Sequence, residues 1–175
     1  MAKVKYSTLK KLCSVNRAEV EKSFNVIFNK YRYLVYYVAF ELLNNQEDAK
    51  DIVNETFLKM FEKRTTFNEE SKLKYYLLVT AKNLSINLLK SKNDHLEYDD
   101  EISGSSDSGS PSIYLEKFKE LLDKDEFDYL VLHLIYEFSF KEIANYRELS
   151  TSQVSSKYAR GLKKLRRYYG GNSHE

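Results

Sequence analysis

The sequence predicts an all-α protein: two small helical domains joined by a flexible linker, with a helix-turn-helix in the second. Three observations carry this expectation. Only five Gly and one Pro occur in 175 residues, which favours long helices over a turn-rich sheet. Apolar residues recur at helical spacing in several segments. The stretch Ile102–Ser112, ISGSSDSGSPS, holds three Gly/Pro residues, six serines and one apolar side chain, too little apolar surface to offset the entropy of ordering it. The expected divisions are residues 1–92, a linker over 93–113, and 114–170.

In the first domain, Phe24, Ile27, Phe28, Tyr31, Leu34, Val35, Val38 and Leu42 lie on one face of a long amphipathic helix. Asn45 can cap a second helix. Its Ala49, Ile52, Val53, Thr56, Phe57, Met60 and Phe61 face inward, and Asp48, Asp51, Glu55 and Lys59 face outward. Ser71 can cap a third, with Leu73, Leu77, Thr80, Ala81, Leu84 and Leu88 inward and Lys74, Lys82 and Lys90 outward.

The second domain opens with a helix around Tyr114 to Leu122, then another through Phe127, Leu130, Val131, Leu134 and Ile135. Two capping boxes follow, Ser139 with Glu142 and Ser150 with Gln153. Two capped helices this close, with Leu149 in the turn and Val154, Tyr158, Leu162 and Leu165 on the second, describe a helix-turn-helix.

Net charge is only +2, but its distribution is uneven. Lys72–Lys92 has five lysines and no acid, Gln153–Tyr169 has six Lys/Arg and no acid, and the intervening Asn93–Ser110 has six Asp/Glu and no Lys or Arg. This predicts two polyanion contacts tethered to each other, although each basic stretch can also be a solvated helix face. The longest apolar run, Tyr33–Phe40, is far short of the roughly 18 residues of a membrane span, and Met1–Lys11 lacks a signal-peptide core. A cytoplasmic protein is expected. His95, His133, His174 and the single Cys13 have no metal-ligand spacing, and no Gly-rich phosphate loop or nucleophile–base pattern appears. No metal, cofactor or enzymatic activity is therefore expected.

A recognition helix needs short or amide side chains near its start for base edges and cations further along for phosphates. Ser152, Gln153, Ser155 and Ser156 supply the first, and Lys157, Arg160 and Lys164 the second. Gln153 can read a base or only close its capping box. In the basic third helix, Tyr75 and Tyr76 beside the lysines can stack on unpaired bases, or can simply pack.

The stretch Asp48–Leu58, DAKDIVNETFL, resembles the DAEDLVQETFL stretch of the extracytoplasmic-function (ECF) sigma factors of bacterial RNA polymerase. Leu73–Leu89 resembles the family's element that melts and reads the downstream (-10) promoter element, and Ser139–Arg166 its helix-turn-helix for the upstream (-35) element. The resemblance spans about residues 20–92 and 115–168. It implies that Asp48, Asp51, Glu55 and Phe57 contact the β′ clamp helices of core polymerase. It further implies that Tyr75, Tyr76, Lys82, Asn83, Asn87 and Lys90 contact the melted strand, and that the second domain grips duplex promoter DNA. Tyr76 stands where the family commonly has Trp, Lys82 where Arg is frequent, Asn87 where Asp or Asn is usual, and Glu148 where a turn Gly is frequent. Family members are often held by an anti-sigma factor, which the resemblance permits here. The rival readings are a stand-alone helix-turn-helix regulator, which leaves the acidic helix unexplained, and a sigma-sequestering interaction module, against which the basic recognition helix argues.

Overall fold

The computed structural model describes residues 4–95, 118 and 120–170. Their regular structure is helical throughout, and they divide into two compact units, one ending in the helix that closes at His95 and the other built from Phe118 onward.

The first unit opens with a helix that periodicity does not predict, α1, Tyr6–Leu12. Seven residues are too short for a periodic signal, yet Leu9 and Leu12 are fully buried against α2, Arg17–Leu43. Asn16 caps α2 by accepting the N–H groups of Ala18 and Glu19 at 3.0 and 3.4 Å. Asn44 closes it in the left-handed region, φ 48°, where Asn is tolerated better than most residues. The next residue, Asn45, opens α3, Gln46–Glu62, by accepting the N–H groups of Glu47 and Asp48. Two adjacent asparagines thus reverse the chain with almost no loop. The predicted inward residues Ala49, Ile52, Val53, Thr56, Phe57 and Met60 are buried, as are Ile27, Tyr31, Leu34 and Val35 of α2, against which α3 packs.

A 3-10 turn, Arg64–Thr66, leads to α4, Glu70–His95. Ser71 is not the cap: the Leu73 N–H already bonds the Glu69 carbonyl at 3.2 Å, so the helix begins earlier and Ser71 is an exposed helical residue. Glu70, in that first turn, is turned inward. Its Oε1 accepts Lys30 Nζ and the Tyr31 hydroxyl, each at 2.5 Å, which ties α2 to the start of α4. Burial alone would raise the Glu70 carboxyl, but these two bonds and a backbone bond from Val4 outweigh it and hold the group below its ordinary 4.5. Lys74, expected outward, is buried at 8% exposure. Asn93–His95 form the last turn of α4, so the helix passes the expected boundary at 92, and the rest of the expected linker lies outside the described residues.

In the second unit most of the expected Tyr114–Leu122 helix lies outside the described residues; Phe118, Glu120 and Leu121 are helical. Asp123 and Glu126 form a capping box that opens α5, Lys124–Leu130. The helix then widens into a π turn, Val131–Ile135. That turn carries more residues per revolution than 3.6, and Leu134 and Ile135, expected inward, are 57% and 40% exposed. Glu137, at φ 56°, reverses the chain and delivers Phe138 to the core. Both remaining capping boxes form. Ser139 and Glu142 open α6, Phe140–Arg147, and Ser150 and Gln153 open α7, Thr151–Gly170. Between them Glu148 occupies the left-handed region at φ 59°, ψ 42°, the geometry for which a turn glycine is the usual choice.

Candidate nucleic-acid interface

The side chains of α7 fall into two sets about its axis. Val154 and Gly161 are buried, and Tyr158, Leu162 and Leu165 are half-buried, on the inner side. Ser152, Ser156, Arg160, Lys163 and Arg167 recur every three or four residues on the opposite side and are all exposed. None of Arg160, Lys163, Arg166 and Arg167 has an ion pair among the described residues. This outer stripe, short hydroxyls first and cations after, has the composition that groove and phosphate contacts need.

Four residues singled out in the sequence are engaged within the domain. Lys157 is ion-paired with Asp125, and Lys164 Nζ lies 2.5 Å from Glu126 Oε2. Both lysines therefore turn toward α5 and away from the outer stripe. Gln153 is used as a cap, its Oε1 accepting the Ser150 N–H at 2.9 Å. Ser155 is half-buried and its hydroxyl donates to the Ser152 carbonyl, 3.1 Å. A third ion pair, Arg147 with the buried Asp128, ties α6 to α5.

On α4, Tyr76, Asn83, Asn87 and Lys90 share one face at spacings of seven, four and three residues. Asn83, Asn87 and Lys90 are exposed and Lys82 is half-buried. Tyr76 is engaged: its ring lies 5.1 Å from that of Phe67, Lys63 Nζ sits 5.6 Å from its centroid, and its hydroxyl donates to the Lys59 carbonyl at 3.4 Å. Tyr75, half-buried, has no ring contact or hydrogen bond among the described residues.

The outer face of α3 is acidic. Asp51 and Glu55 are exposed, with Glu55 loosely paired to Lys59 at 3.4 Å. Asp48 is less free, its carboxylate 2.5 Å from Lys92 of α4. Phe57 belongs to the core at 2% exposure, its ring 4.8 Å from that of Phe28. The ridge borders a feature that the sequence reading missed. Between α2 and α3 lies an open groove of about 580 Å³, lined by Phe24, Phe28, Phe57, Phe61 and Leu58 and rimmed by Arg17, Glu21 and Asn54. Leu58, 59% exposed, stands between the groove and the acids. Its exposure was detectable as an apolar residue off the inward spacing.

No group of His, Cys, Asp and Glu among the described residues could hold a metal ion, and no described helix is long and apolar enough to cross a membrane.

Residues 27–95 match the sigma-70 region 2 family. Over 167 residues the chain is 22% identical to the ECF RNA polymerase sigma factor SigX and 25% identical to the ECF RNA polymerase sigma factor SigW, both of Bacillus subtilis. The alignments cover 85% and 84% of this chain and 84% and 89% of those proteins. Among solved structures it is similar to the sigma factor RpoE of Bartonella quintana, in complex with the anti-sigma factor NepR, with a TM-score of 0.55, 18% identity, and 86% of this chain and 99% of that one covered. It is also similar to CnrH, in complex with the cytosolic domain of CnrY, with a TM-score of 0.52, 16% identity, and 97% and 99% covered. The matched residues fall on α2 to α4. Over most of its length the chain resembles the ECF sigma factors.

Proposed function

We propose that this chain is an ECF sigma factor that binds RNA polymerase core in the cytoplasm and directs initiation at specific promoters, with no cofactor and no catalytic step of its own. The observation that carries this reading is the pairing of a region 2 match with a helix-turn-helix whose outward cations have no ion pair among the described residues. In this division of labour the exposed Asp51 and Glu55, with the apolar groove beside them, dock on the β′ clamp helices. The α4 face bearing Tyr75, Tyr76, Lys82, Asn83, Asn87 and Lys90 holds the melted -10 strand. The α7 stripe of Ser152, Ser156, Arg160, Lys163 and Arg167 grips the -35 duplex. An anti-sigma factor is a further partner of the same reading, supported by the complex in which the Bartonella relative was solved.

The stand-alone regulator is disfavoured because it gives the region 2 domain no role. Transcription with core polymerase on a library of genomic fragments tests the proposal. Discrete start sites that depend on the chain support it, and start sites indifferent to its presence contradict it.

A further inference from the structure

Glu126 is 1% exposed, yet its carboxylate meets two groups from different parts of the domain. Oε2 accepts the Asp123 N–H at 3.1 Å, within its own helix, and Lys164 Nζ at 2.5 Å, from the recognition helix. Lys164 lies three residues beyond Gly161, where α7 packs tightly against α5. A Cβ there would stand 3.1 Å from Glu126 Cβ and 3.1 Å from Leu130 Cδ1. Four residues before Gly161, Lys157 is held by Asp125. The inner face of α7 is therefore gripped by neighbouring acids of α5 on both sides of one close crossing.

Apolar contacts are non-directional; on the inner face of α7 Val154 is fully buried and Tyr158 packs on Phe140 and His133, while Leu162 and Leu165, further along, are only half-buried. A hydrogen-bonded ion pair with one buried partner has a direction, and buried polar pairs fix helix register in some proteins. Successive helical residues are about 100° apart, so a rotation of a fraction of that angle would carry Ser152, Ser156 and Arg160 off their base and phosphate positions.

We propose that Glu126 is a positioning residue for promoter recognition: through Lys164 it sets the rotation of α7, and so which side chains reach the base edges. The inference rests on the DNA-reading role of α7 argued above. Its test uses the full chain assembled on core polymerase, first to select preferred upstream duplexes from a randomised pool, then to compare a selected duplex with a scrambled one. Glu126→Gln keeps an acceptor for the Asp123 N–H and removes the charge. Lys164→Met breaks the same pair from its exposed end, where folding is least at risk. Both variants are expected to lose about tenfold in the ratio of selected to scrambled affinity, the order that one misread base pair costs, while affinity for the scrambled duplex stays within about twofold. A folded Lys164→Met protein with an unchanged ratio, or with both affinities lowered alike, would overturn the proposal. If the unmodified chain on core selects no sequence, the DNA-reading role itself fails.

Discussion

Lys157 of α7 is ion-paired with Asp125 of α5, and that pairing divides the six basic residues of α7 into two kinds. Arg160, Lys163, Arg166 and Arg167 have no ion pair among the described residues, while Lys157 and Lys164 are paired with acids of α5. Each phosphate contact contributes about 0.9 to the slope of log affinity against log salt. Arg160→Ala should accordingly flatten the slope by about one unit on any duplex, and Lys157→Ala should leave it nearly unchanged. The Lys157 pair is partly exposed, so its loss costs at most about 1 kcal/mol of stability. Fluorescence anisotropy across a salt series separates the two variants.

Tyr75 and Tyr76 should behave differently despite being neighbours. If Tyr75 stacks on an unpaired base, Tyr75→Ala costs about 1–3 kcal/mol in binding the non-template strand and changes the melting temperature little. Tyr76 packs on Phe67 and bonds Lys59, so Tyr76→Ala should lower the melting temperature as well. Strand-binding titrations paired with thermal unfolding read both effects.

The Glu70 carboxylate links acid to the stability of the first unit. Its folded-state value lies below the ordinary 4.5, so its contribution is fully present above about pH 5 and is lost as pH falls through the folded value. Tyr31→Phe removes one of its two side-chain donors and should destabilise by about 1–3 kcal/mol at neutral pH, with the difference from the unmodified chain shrinking toward pH 3. Urea unfolding across that range checks the sign.

Gly161→Ala tests the close crossing. Helix propensity alone favours Ala by about 1 kcal/mol, but the new methyl would sit 3.1 Å from Glu126 Cβ, which is fixed to its backbone and cannot rotate away as Leu130 Cδ1 can. Overpacking of this kind costs about 1–3 kcal/mol, so a lower melting temperature is the expected result.

The capped helices of the second unit are legible in the sequence because each cap is local: Ser139 meets Glu142, and Ser150 meets Gln153, three residues away. The core faces of α2 and α3 are legible for a similar reason, since period 3.6 reports burial directly. What Lys157 and Lys164 face is not legible, because their partners lie 32 and 38 residues away and a long lysine stem can turn to either side. Lys74 shows the same limit, its burial being set by neighbouring helices and not by its own segment. Leu134 and Ile135 fail for another cause: the π turn breaks the period on which the reading depends.

The central claim is that the acidic face of α3 engages core polymerase. Asp51 and Glu55 are exposed, and the Glu55–Lys59 pair on the helix surface is worth only about 0.3–0.5 kcal/mol. Asp51→Lys combined with Glu55→Lys should therefore barely change the melting temperature, whereas like charges facing a basic partner cost several kcal/mol and slow encounter. Titrating the full chain and this double variant into core polymerase is the most direct measurement. Saturable binding by the unmodified chain, and its loss in the variant at an unchanged melting temperature, are expected; no measurable affinity of the unmodified chain, or equal affinity of the two, would contradict docking through this face.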